Sequence, residues 1–432
     1  MESVWQKSAP ELSFGHMDGN QSTDTLIIGG GIAGILCAYK LKNAGVDCLL
    51  VEADRILRGI TGCTTAKITL GHGLIYHKMI RRFGEDAAAL YLDAQLKAEA
   101  EYASLCKKIK CDYEEKDSFV YSIDNRKALV NEVEALNRLG IEAELCDRVE
   151  LPFQVAGAVR VKDQAQFHPL KFLYPIAEDL PIYEHTKITE LMPGRVRTNR
   201  GEIAYKHLIV ATHFPILNKH GLYPVKLYQH RSYVLALRGA PAVDGMFVDE
   251  SHTGLSFRSY GELMLLGGGG HRTGKKGGCW CELEDFAMRH YPKAEIVGKW
   301  ATQDCMTLDG IPYIGRYSVS TPEIFVTTGF NKWGMTNAMV SADILCDIVL
   351  GKESVYSEVF SPSRSILRPQ LAINLLESLL GLITPTVPRC PHMGCALKYN
   401  RAEHSWDCPC HGSRFEEDGR LINNPATDDK RM

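Results

Sequence analysis

The sequence predicts an α/β (α+β) chain with a parallel βαβ unit, a mainly antiparallel second sheet and a small β unit near the C-terminus. Residues 24–54 read as an apolar strand, a glycine turn, a helix with a period of 3.6 residues, and a second apolar strand. Short alternating strand patterns with turn glycines follow between residues 182 and 266. Four cysteines then cluster between residues 390 and 410, interleaved with two histidines, which indicates a metal site.

The composition bounds the possible partners of the chain. Its 432 residues are 45% hydrophobic and 23% charged, which is typical of a globular protein with two or three packed units. The net charge of -3 and the absence of a dense Lys/Arg run predict no nucleic-acid partner. The N-terminus does not resemble a secretory signal, and no apolar stretch reaches the about 18 residues of a membrane span. We therefore expect a cytoplasmic location and no membrane partner.

The first motif is a glycine turn between the first predicted strand and helix. Gly29, Gly31 and Gly34 form GxGxxG, which lets backbone N–H groups and the helix N-terminus face a pyrophosphate. Glu52 ends the next strand, where it is placed to bind ribose hydroxyls. The four glycines at residues 267–270 have no helix pattern after them, so we interpret them as a loop. A single dinucleotide fingerprint disfavours a flavoprotein reduced by NAD(P)H at a second nucleotide domain.

Four further segments bear on whether the nucleotide is FAD or NAD. TGCTTAK, IVATH, LDGIPYIG and GFNKWGMT together resemble the D-amino-acid oxidase superfamily, which includes the glycine and sarcosine oxidases, over residues 22–352. The resemblance implies a Rossmann-like FAD-binding domain with an inserted, mainly antiparallel substrate domain. The residues that it implies for FAD binding are Gly29, Gly31, Gly34, Glu52, Thr61, Thr64, Thr65, Ala66, Lys67, Ile188, Ala211, Thr212, Gly329, Gly334, Met335 and Thr336. Cys305 invites comparison with the covalent flavin link of sarcosine oxidases, but its spacing to Asp309 is shorter, so we expect a noncovalent flavin.

The segment LYQHRSYVL offers candidates for substrate binding. In the resembled family an arginine and a tyrosine often hold a substrate carboxylate, which makes Arg231, Tyr228 and His230 the predicted substrate residues. A strand would place Tyr228 and His230 on one face and Arg231 and Tyr233 on the other, so at most half face a pocket. A structural role is the alternative for each, and also for the further candidates Arg258, Tyr260, His271 and Arg272.

The C-terminal cluster consists of two boxes, CPHMGC and CPCHGS. Cys390 and His392 form C-x-H, and after fifteen intervening residues Cys408 and His411 form C-x-x-H. Two cysteines and two histidines are what a Rieske [2Fe-2S] centre needs. A zinc site is the alternative, but zinc modules usually pair two cysteines in one box and two histidines in the other, whereas each box here mixes the two residue types.

The boxes closely resemble those of Rieske proteins of the cytochrome bc type. This resemblance implies that Cys390, His392, Cys408 and His411 are the cluster ligands and that Cys395 and Cys410 form a disulfide. Rieske oxygenases lack that extra cysteine pair, so oxygenase chemistry is disfavoured. Phe415 stands where the bc-type pattern has a tyrosine. Loss of a hydroxyl near a cluster sulfur predicts a reduction potential in the lower part of the range of Rieske clusters.

The composition changes after residue 351 and suggests a division of the chain. We assign residues 1–362 to the oxidoreductase body, with FAD-binding parts at 22–75, 150–215 and 300–352 and substrate parts at 76–149 and 216–299. Residues 363–384 form a linker and an apolar helix, and residues 385–432 a shortened Rieske unit. The helix is apolar nearly all round, so we expect it to be buried between the cluster unit and the body or against a second subunit. An interfacial membrane helix is the alternative.

The whole chain resembles bacterial FAD-dependent oxidoreductases fused to a Rieske domain, through ESVWQ, TTAKIT, TLDGIPYIG and WDCPCHGSRF. The resemblance implies two cofactors, FAD and a [2Fe-2S] cluster. We hypothesise that the chain oxidises an amino acid or amine-like molecule and relays single electrons through the cluster to an external carrier. One alternative is a reductase, in which a donor protein reduces the cluster and FAD reduces an organic substrate. Another is an oxidase in which the cluster is a redox sensor or structural staple.

Overall fold

The computed structural model describes residues 2–216, 220–385 and 388–430. Residues 386, 387, 431 and 432 of the predicted Rieske unit lie outside the described residues. The helices are α1 (Val4–Ser8), α2 (Ile32–Asn43), α3 (Tyr76–Phe83), α4 (Glu85–Cys106), α5 (Arg126–Arg138), α6 (Pro169–Ala177), α7 (Tyr223–Lys226), α8 (Cys279–His290), α9 (Gly334–Val349), α10 (Ser357–Phe360) and α11 (Pro369–Ile383), with a 3-10 turn at Ile60–Cys63.

Three sheets organise the strands. The strands are β1 (Gln21–Ile28), β2 (Cys48–Val51), β3 (Lys67–Ile68), β4 (Glu114–Ser122), β5 (Ala143–Cys146), β6 (Gly157–Gln166), β7 (Ile182–Tyr183), β8 (Ile188–Met192), β9 (Arg195–Thr198), β10 (Gly201–Val210), β11 (Leu227–Arg238), β12 (Met246–Asp249), β13 (Ser256–Tyr260), β14 (Leu263–Arg272), β15 (Glu295–Thr307), β16 (Tyr313–Ser318), β17 (Thr321–Thr328), β18 (Lys398–Asn400), β19 (Ser405–Asp407), β20 (Arg414–Glu416) and β21 (Leu421–Asn423).

The first sheet is the predicted nucleotide-binding sheet. Its order is β16-β17-β10-β1-β2-β7, with β8 and β9 added through β10. Strands β17, β10, β1, β2 and β7 run parallel, and β1, α2 and β2 form the predicted βαβ unit. Helix α2 is mostly buried and packs on α9, so both lie on one face of the sheet. The carboxyl ends of β1, β2 and β10 therefore meet at one edge, which is where ligands bind in open α/β sheets.

The second sheet is the larger one and is mainly antiparallel, as predicted. Its order is β15-β11-β14-β13-β12-β4-β6-β3, with β5 paired to β6. Strand β11 lies between β14 and β15 and carries the predicted substrate residues. The division of the chain proposed from the sequence stays a prediction, although β6, within a part assigned to FAD binding, pairs in this second sheet.

The glycine run at residues 267–270 corrects one expectation. It is not a loop but part of strand β14, where it pairs with β11 beside a register shift. A Cβ on Gly267 would lie 2.5 Å from Ser256 Oγ, and one on Gly269 would lie 2.1 Å from the carbonyl oxygen of Cys279. Glycine is therefore required because neighbouring segments approach the strand too closely for any side chain.

The C-terminal unit is a four-stranded antiparallel sheet, β18-β19-β20-β21, next to helix α11. The prediction that α11 is buried between the cluster unit and the body is wrong, whereas its burial against a second subunit stays a prediction. Only Asn374 and Gly381 of the helix are buried, whereas Leu376 and Leu379 are each 55% exposed and Ile383 is 64% exposed. The buried contacts of the helix are made by these small and polar residues, and five of its six leucines are exposed. Within the described residues, none of the helices has both the length and the apolar character that a bilayer span requires.

Candidate functional site

The glycine turn lies at the carboxyl edge of the first sheet. Gly29 has a φ of +111°, and a Cβ there would lie 2.6 Å from the carbonyl oxygen of Ala211 at the end of β10. A Cβ on Gly34 would lie 1.9 Å from the carbonyl oxygen of Gly29. Only glycine fits at these positions, so the turn is tight and the N-terminus of α2 faces the open edge. This geometry fits a pyrophosphate.

A cavity of about 1160 Å³ opens in front of this turn and runs between the two large sheets. Thirteen of the sixteen residues predicted to bind FAD border it, namely Gly29, Gly31, Glu52, Thr61, Thr64, Thr65, Lys67, Ile188, Ala211, Thr212, Gly329, Gly334 and Met335. Gly34, Ala66 and Thr336 do not border the cavity. Thr336 lies behind the cavity wall, since its Oγ1 lies 3.0 Å from Nε2 of His72, a residue that does border the cavity.

Two charged side chains near the turn are fixed by burial. Glu52 accepts hydrogen bonds from the N–H groups of Gly30 at 2.7 Å and Asp54 at 3.0 Å, and burial raises the pKa of its carboxyl. Its position at the end of β2 fits a ribose hydroxyl. Burial also lowers the pKa of Lys67 to about 7, with a further contribution from Arg258, and Lys67 Nζ donates to Thr65 Oγ1 at 3.0 Å.

The structure reassigns several candidate substrate residues. Arg231 does not border the cavity; its buried guanidinium pairs with Glu403 of the C-terminal unit, so the substrate role predicted for it is replaced by a contact between units. His230 is also buried away from the cavity, and Tyr228 borders it. Arg258 donates to the carbonyl oxygens of Thr65 and Ala66, which fixes the TTAK loop.

The remaining candidates also have structural partners. The hydroxyl of Tyr260 donates to Asp112 at 2.8 Å, and His271 Nε2 lies 3.0 Å from the hydroxyl of Tyr233. Arg272 lies 5.0 Å from the ring centroid of Tyr228 and hydrogen-bonds Asn374 of α11. Cys305 borders the cavity, and burial raises the pKa of its thiol to about 12. The expectation of a noncovalent flavin stays a prediction.

The two C-terminal boxes bring the predicted cluster ligands together. The rings of His392 and His411 lie 4.9 Å apart between centroids, and Cys390 and Cys408 are 2% and 1% exposed. Each box is a tight turn, in which the N–H of Gly394 donates to Cys390 and that of Gly412 to Cys408, both at 2.9 Å.

The state of the imidazoles also suits a cluster. Burial lowers the pKa of His392 to about 4 and that of His411 to about 3, so both rings are neutral, which metal ligation requires. Nδ1 of His411 is buried and has no hydrogen-bond partner among the described residues. Two buried thiols and two neutral imidazoles at one place fit a Rieske cluster.

The predicted disulfide between Cys395 and Cys410 is not formed. Both cysteines are free thiols, although their sulfurs lie within 4.8 Å of each other and of Cys408. The Cys410 thiol is directed toward α11, where it donates to the carbonyl oxygen of Glu377 at 3.8 Å. A Cβ on Gly381 would lie 2.4 Å from the Cys410 sulfur, so the helix packs directly on this thiol.

Sequence reasoning missed the contact between the two sites. The ring of Phe214 lies 6.4 Å from the ring of His392 and 6.3 Å from that of His411. Its neighbours Thr212 and His213 border the cavity, and Asn424 Nδ2 donates to the carbonyl oxygens of Thr212 and Phe214. The imidazole side of the cluster site therefore packs on the segment that forms one wall of the FAD cavity.

Comparison with known proteins agrees with this arrangement. Residues 24–348 match the family described as FAD dependent oxidoreductase (DAO). The chain belongs to this family. Residues 372–431 of this DAO-family oxidoreductase match the Rieske [2Fe-2S] domain, so its cofactors are FAD and a [2Fe-2S] cluster. The cavity and the C-terminal boxes remain the predicted sites of these two cofactors.

Three relatives illustrate the likeness of this DAO-family oxidoreductase to other proteins. A protein of Bacillus subtilis (strain 168) that carries the name Rieske 2Fe-2S iron-sulfur protein YhfW is 33% identical over 98% of this chain and 96% of its own length. The gamma-glutamylputrescine oxidoreductase of Escherichia coli (strain K12) is 24% identical over 78% of this chain and 86% of its own. The glycine oxidase structure from Geobacillus kaustophilus shares the fold with a TM-score of 0.68 at 17% identity, covering 80% of this chain and 100% of that one.

We expect that Phe415→Tyr raises the reduction potential of the cluster in this DAO-family oxidoreductase. Phe415 is fully buried among Cys390, Cys395, Cys408 and Cys410, so a hydroxyl at its ring edge would be close to the cluster sulfurs and would stabilise the reduced state. A spectroelectrochemical titration measures the shift, and Phe415→Leu, which adds no hydroxyl, is the control. A tyrosine variant with an unchanged or lower potential would contradict the prediction.

Proposed function

We propose that the chain oxidises an amino acid or amine at FAD and passes the electrons one at a time through the cluster to an external one-electron acceptor. FAD accepts two electrons as a hydride, and a Rieske cluster carries one. The observation that carries the proposal is the contact of Phe214 with both His392 and His411, while its neighbours Thr212 and His213 border the FAD cavity.

The way in which the C-terminal unit meets the body supports a relay within one chain. Residues of that unit, including Arg420, Ile422 and Asn424, border the same cavity as the glycine turn. Gln303 Nε2 donates to the carbonyl oxygen of Gly412 at 2.9 Å, next to the second box. A Cβ on Gly412 would lie 2.2 Å from Gln229, so the unit sits against the body without space for a side chain. The unit is therefore held in one orientation.

The relatives support an amine-like substrate. The relatives with named activities include a glycine oxidase, an L-proline dehydrogenase and a gamma-glutamylputrescine oxidoreductase. Each of these three names contains a compound with an amine nitrogen, whereas the L-alpha-glycerophosphate oxidase of Mycoplasma pneumoniae, which shares the fold, is named for a substrate without one. Oxidation of such a substrate needs position and charge more than strong acid–base groups, because FAD takes the hydride. The chain's own contribution would be to bind and orient the substrate in the cavity and to exclude water.

Anaerobic reduction with a panel of compounds tests the proposal. Glycine, sarcosine, L-proline and putrescine are each added to the holoenzyme, and the absorbance of FAD and the EPR signal of the cluster are recorded. Bleaching of FAD followed by a cluster signal is the expected result. Reduced FAD with a cluster that stays oxidised would contradict the relay and favour a sensor or staple. Reduction of FAD only after a protein donor reduces the cluster would favour the reductase.

Phe214→Leu is expected to slow the transfer of electrons from FAD to the cluster severalfold while leaving the reduction of FAD by substrate unchanged. The leucine keeps an apolar side chain at a buried position but removes the ring that contacts both histidines. Stopped-flow absorbance resolves the two phases. Phe325→Leu, at a buried phenylalanine of β17, is the matched control. Equal transfer rates in Phe214→Leu and wild type would exclude this segment as the route.

A further inference from the structure

The cavity holds two opposite charges that no predicted FAD contact uses. Asp304 lies on β15, and Lys332 lies in the turn that precedes α9. Both border the cavity together with Tyr228 and Ser232 of β11. Each lies close enough to influence the pKa of the other. Yet no salt bridge or hydrogen bond joins them in the part of the chain that the structure describes, so a gap separates the two charges.

The carboxylate of Asp304 is only partly satisfied by the protein. Ser232 Oγ donates to its Oδ2 at 3.2 Å, and no hydrogen bond to Oδ1 occurs within the described ranges. Burial raises the pKa of this carboxyl, and Lys332, Ser232 and Arg231 oppose the effect. Thr302, two residues earlier and therefore on the same face of the strand, has a buried hydroxyl without a hydrogen-bond partner among the described residues. This face of β15 thus offers acceptors to a ligand with N–H donors.

Other carboxylates that border the cavity differ in how many of their oxygens are engaged. Asp309 pairs with Arg364, Glu250 accepts from the hydroxyl of Ser122 at 2.6 Å, and Glu52 accepts two backbone N–H groups at the glycine turn. Buried carboxylates are normally paired or hydrogen-bonded because isolation in a protein interior is costly. Within the described residues, Asp304 therefore differs from Asp309 and Glu52, whose oxygens are both engaged, and shares with Glu250 one oxygen that is left for a ligand.

Lys332 is held in place by a strained turn. Asn331 and Lys332 have φ values of 50° and 75°, which residues with side chains rarely adopt. Asn331 is fixed by accepting the N–H of Thr307 at 2.8 Å and donating to the carbonyl oxygen of Gly329 at 2.6 Å. Lys332 Nζ donates to the carbonyl oxygen of His252 at 2.7 Å, which leaves ammonium protons for a ligand. Strain of this kind persists where the surroundings impose it, often at binding sites.

We propose that Asp304 binds the protonated nitrogen of the substrate and that Lys332 binds its anionic group, so that the cavity selects a zwitterionic amino acid. The inference rests on the proposed function, since it assumes that the substrate occupies this cavity. Lys332 takes the place of the arginine expected from the sequence, because Arg231 is committed to Glu403. Two separated opposite charges bind a zwitterion more tightly than they bind a molecule with only a positive or only a negative charge.

Ligand titration of the oxidised holoenzyme tests this assignment. The probes are sarcosine, with both charges, dimethylamine, with the positive charge alone, and acetate, with the negative charge alone. Each is titrated without oxygen, and the change in FAD absorbance gives a dissociation constant. Asp304→Asn is expected to weaken sarcosine and dimethylamine about 10-fold or more and to leave acetate unchanged. Lys332→Gln is expected to weaken sarcosine and acetate by a similar factor and to leave dimethylamine unchanged.

Two further variants make the result decisive. Ser232→Ala removes a hydrogen bond to Asp304 without changing the charge of the protein. It is expected to lower the affinity for sarcosine by a smaller factor than Asp304→Asn, and it keeps the test available if Asp304→Asn fails to fold. Asp285→Asn removes an exposed carboxylate of α8 that does not border the cavity, so it controls for net charge. Sarcosine affinity within twofold of wild type in Asp304→Asn would overturn the proposal, as would the absence of any probe-induced change in wild type.

The titration separates this inference from the relay. FAD absorbance in the oxidised enzyme reports ligand binding without turnover and without the cluster. If the affinities follow the predicted pattern but substrate never reduces the cluster, the relay is excluded and the assignment of Asp304 and Lys332 to substrate binding is retained. If substrate reduces the cluster but the affinities do not depend on Asp304 or Lys332, the binding assignment is excluded and the relay is retained.

Discussion

Replacing Cys408 with alanine is expected to abolish the visible absorbance and the EPR signal of the cluster while FAD stays bound. Cys408 is 1% exposed and lies beside Cys390, and a Rieske centre uses two cysteine thiolates to hold one iron while two histidines hold the other. Because metal binding contributes directly to the folding of small metal-containing units, the four-stranded sheet of β18–β21 should also lose stability. Iron and sulfide analysis, together with the FAD content of the purified protein, measures the effect.

Cys346→Ser is the matched control for this loss. Cys346 is a partly buried free cysteine of α9, far along the chain from the boxes, so its variant should retain both cofactors. Retention of a full complement of iron and sulfide in Cys408→Ala would remove Cys408 from the ligand set. Loss of FAD along with the cluster would show that the two sites do not load independently.

Glu403→Gln is expected to destabilise the contact between the two units by about 3–5 kcal/mol, because buried Arg231 loses its ion-pair partner and buried Arg414 keeps only Asp407. The side chains of Arg231, Glu403 and Arg414 are 3%, 9% and 5% exposed. Burial alone would raise the pKa of Glu403, but Arg231 and Arg414 lower it to about 2. The stabilisation is therefore present above the ordinary carboxyl pKa and is lost as pH falls toward 2.

Denaturant unfolding followed by the cluster absorbance, with FAD fluorescence recorded in parallel, measures this loss. Separate transitions for the two signals would indicate that the C-terminal unit leaves the body first, which breaks a two-state description. Glu417→Gln is the control, since Glu417 is an exposed carboxylate of the same unit and its ion pair with His404 is a surface one. A midpoint for Glu403→Gln equal to that of Glu417→Gln would contradict a stabilising role for the buried network.

The parts of the fold that follow from local pattern were predictable. The βαβ unit, the tight turn at Gly29 and Gly34, and the two cysteine–histidine boxes all depend on residues close together in sequence. Thirteen of the residues predicted to bind FAD, Gly29 among them, border one cavity. They meet there because each ends or follows an element of the first sheet or packs beside that sheet. The cofactors follow from these motifs, and the family and domain matches confirm them.

The features that the sequence did not reveal depend on contacts between distant segments. Arg231 looked like a substrate residue because its partner, Glu403, lies in a different unit. Helix α11 looked buried because its composition is apolar, whereas Gly381 and Asn374 provide the contact face. The glycine run at 267–270 looked like a loop because nothing in the pattern showed that Ser256 and Cys279 approach the strand. No sequence pattern indicated a role for Phe214, since single buried phenylalanines are common in protein cores.

Photochemical reduction of FAD in the anaerobic holoenzyme tests the central claim most directly, since it needs no knowledge of the substrate. A light pulse with a small-molecule reductant delivers electrons to FAD, and absorbance and rapid-freeze EPR follow both cofactors. The account predicts that the FAD signal recovers while the reduced cluster appears at the same rate, independently of protein concentration. A cluster that remains oxidised, or one that is reduced only at a rate proportional to protein concentration, would contradict electron transfer between the two cofactors within one chain.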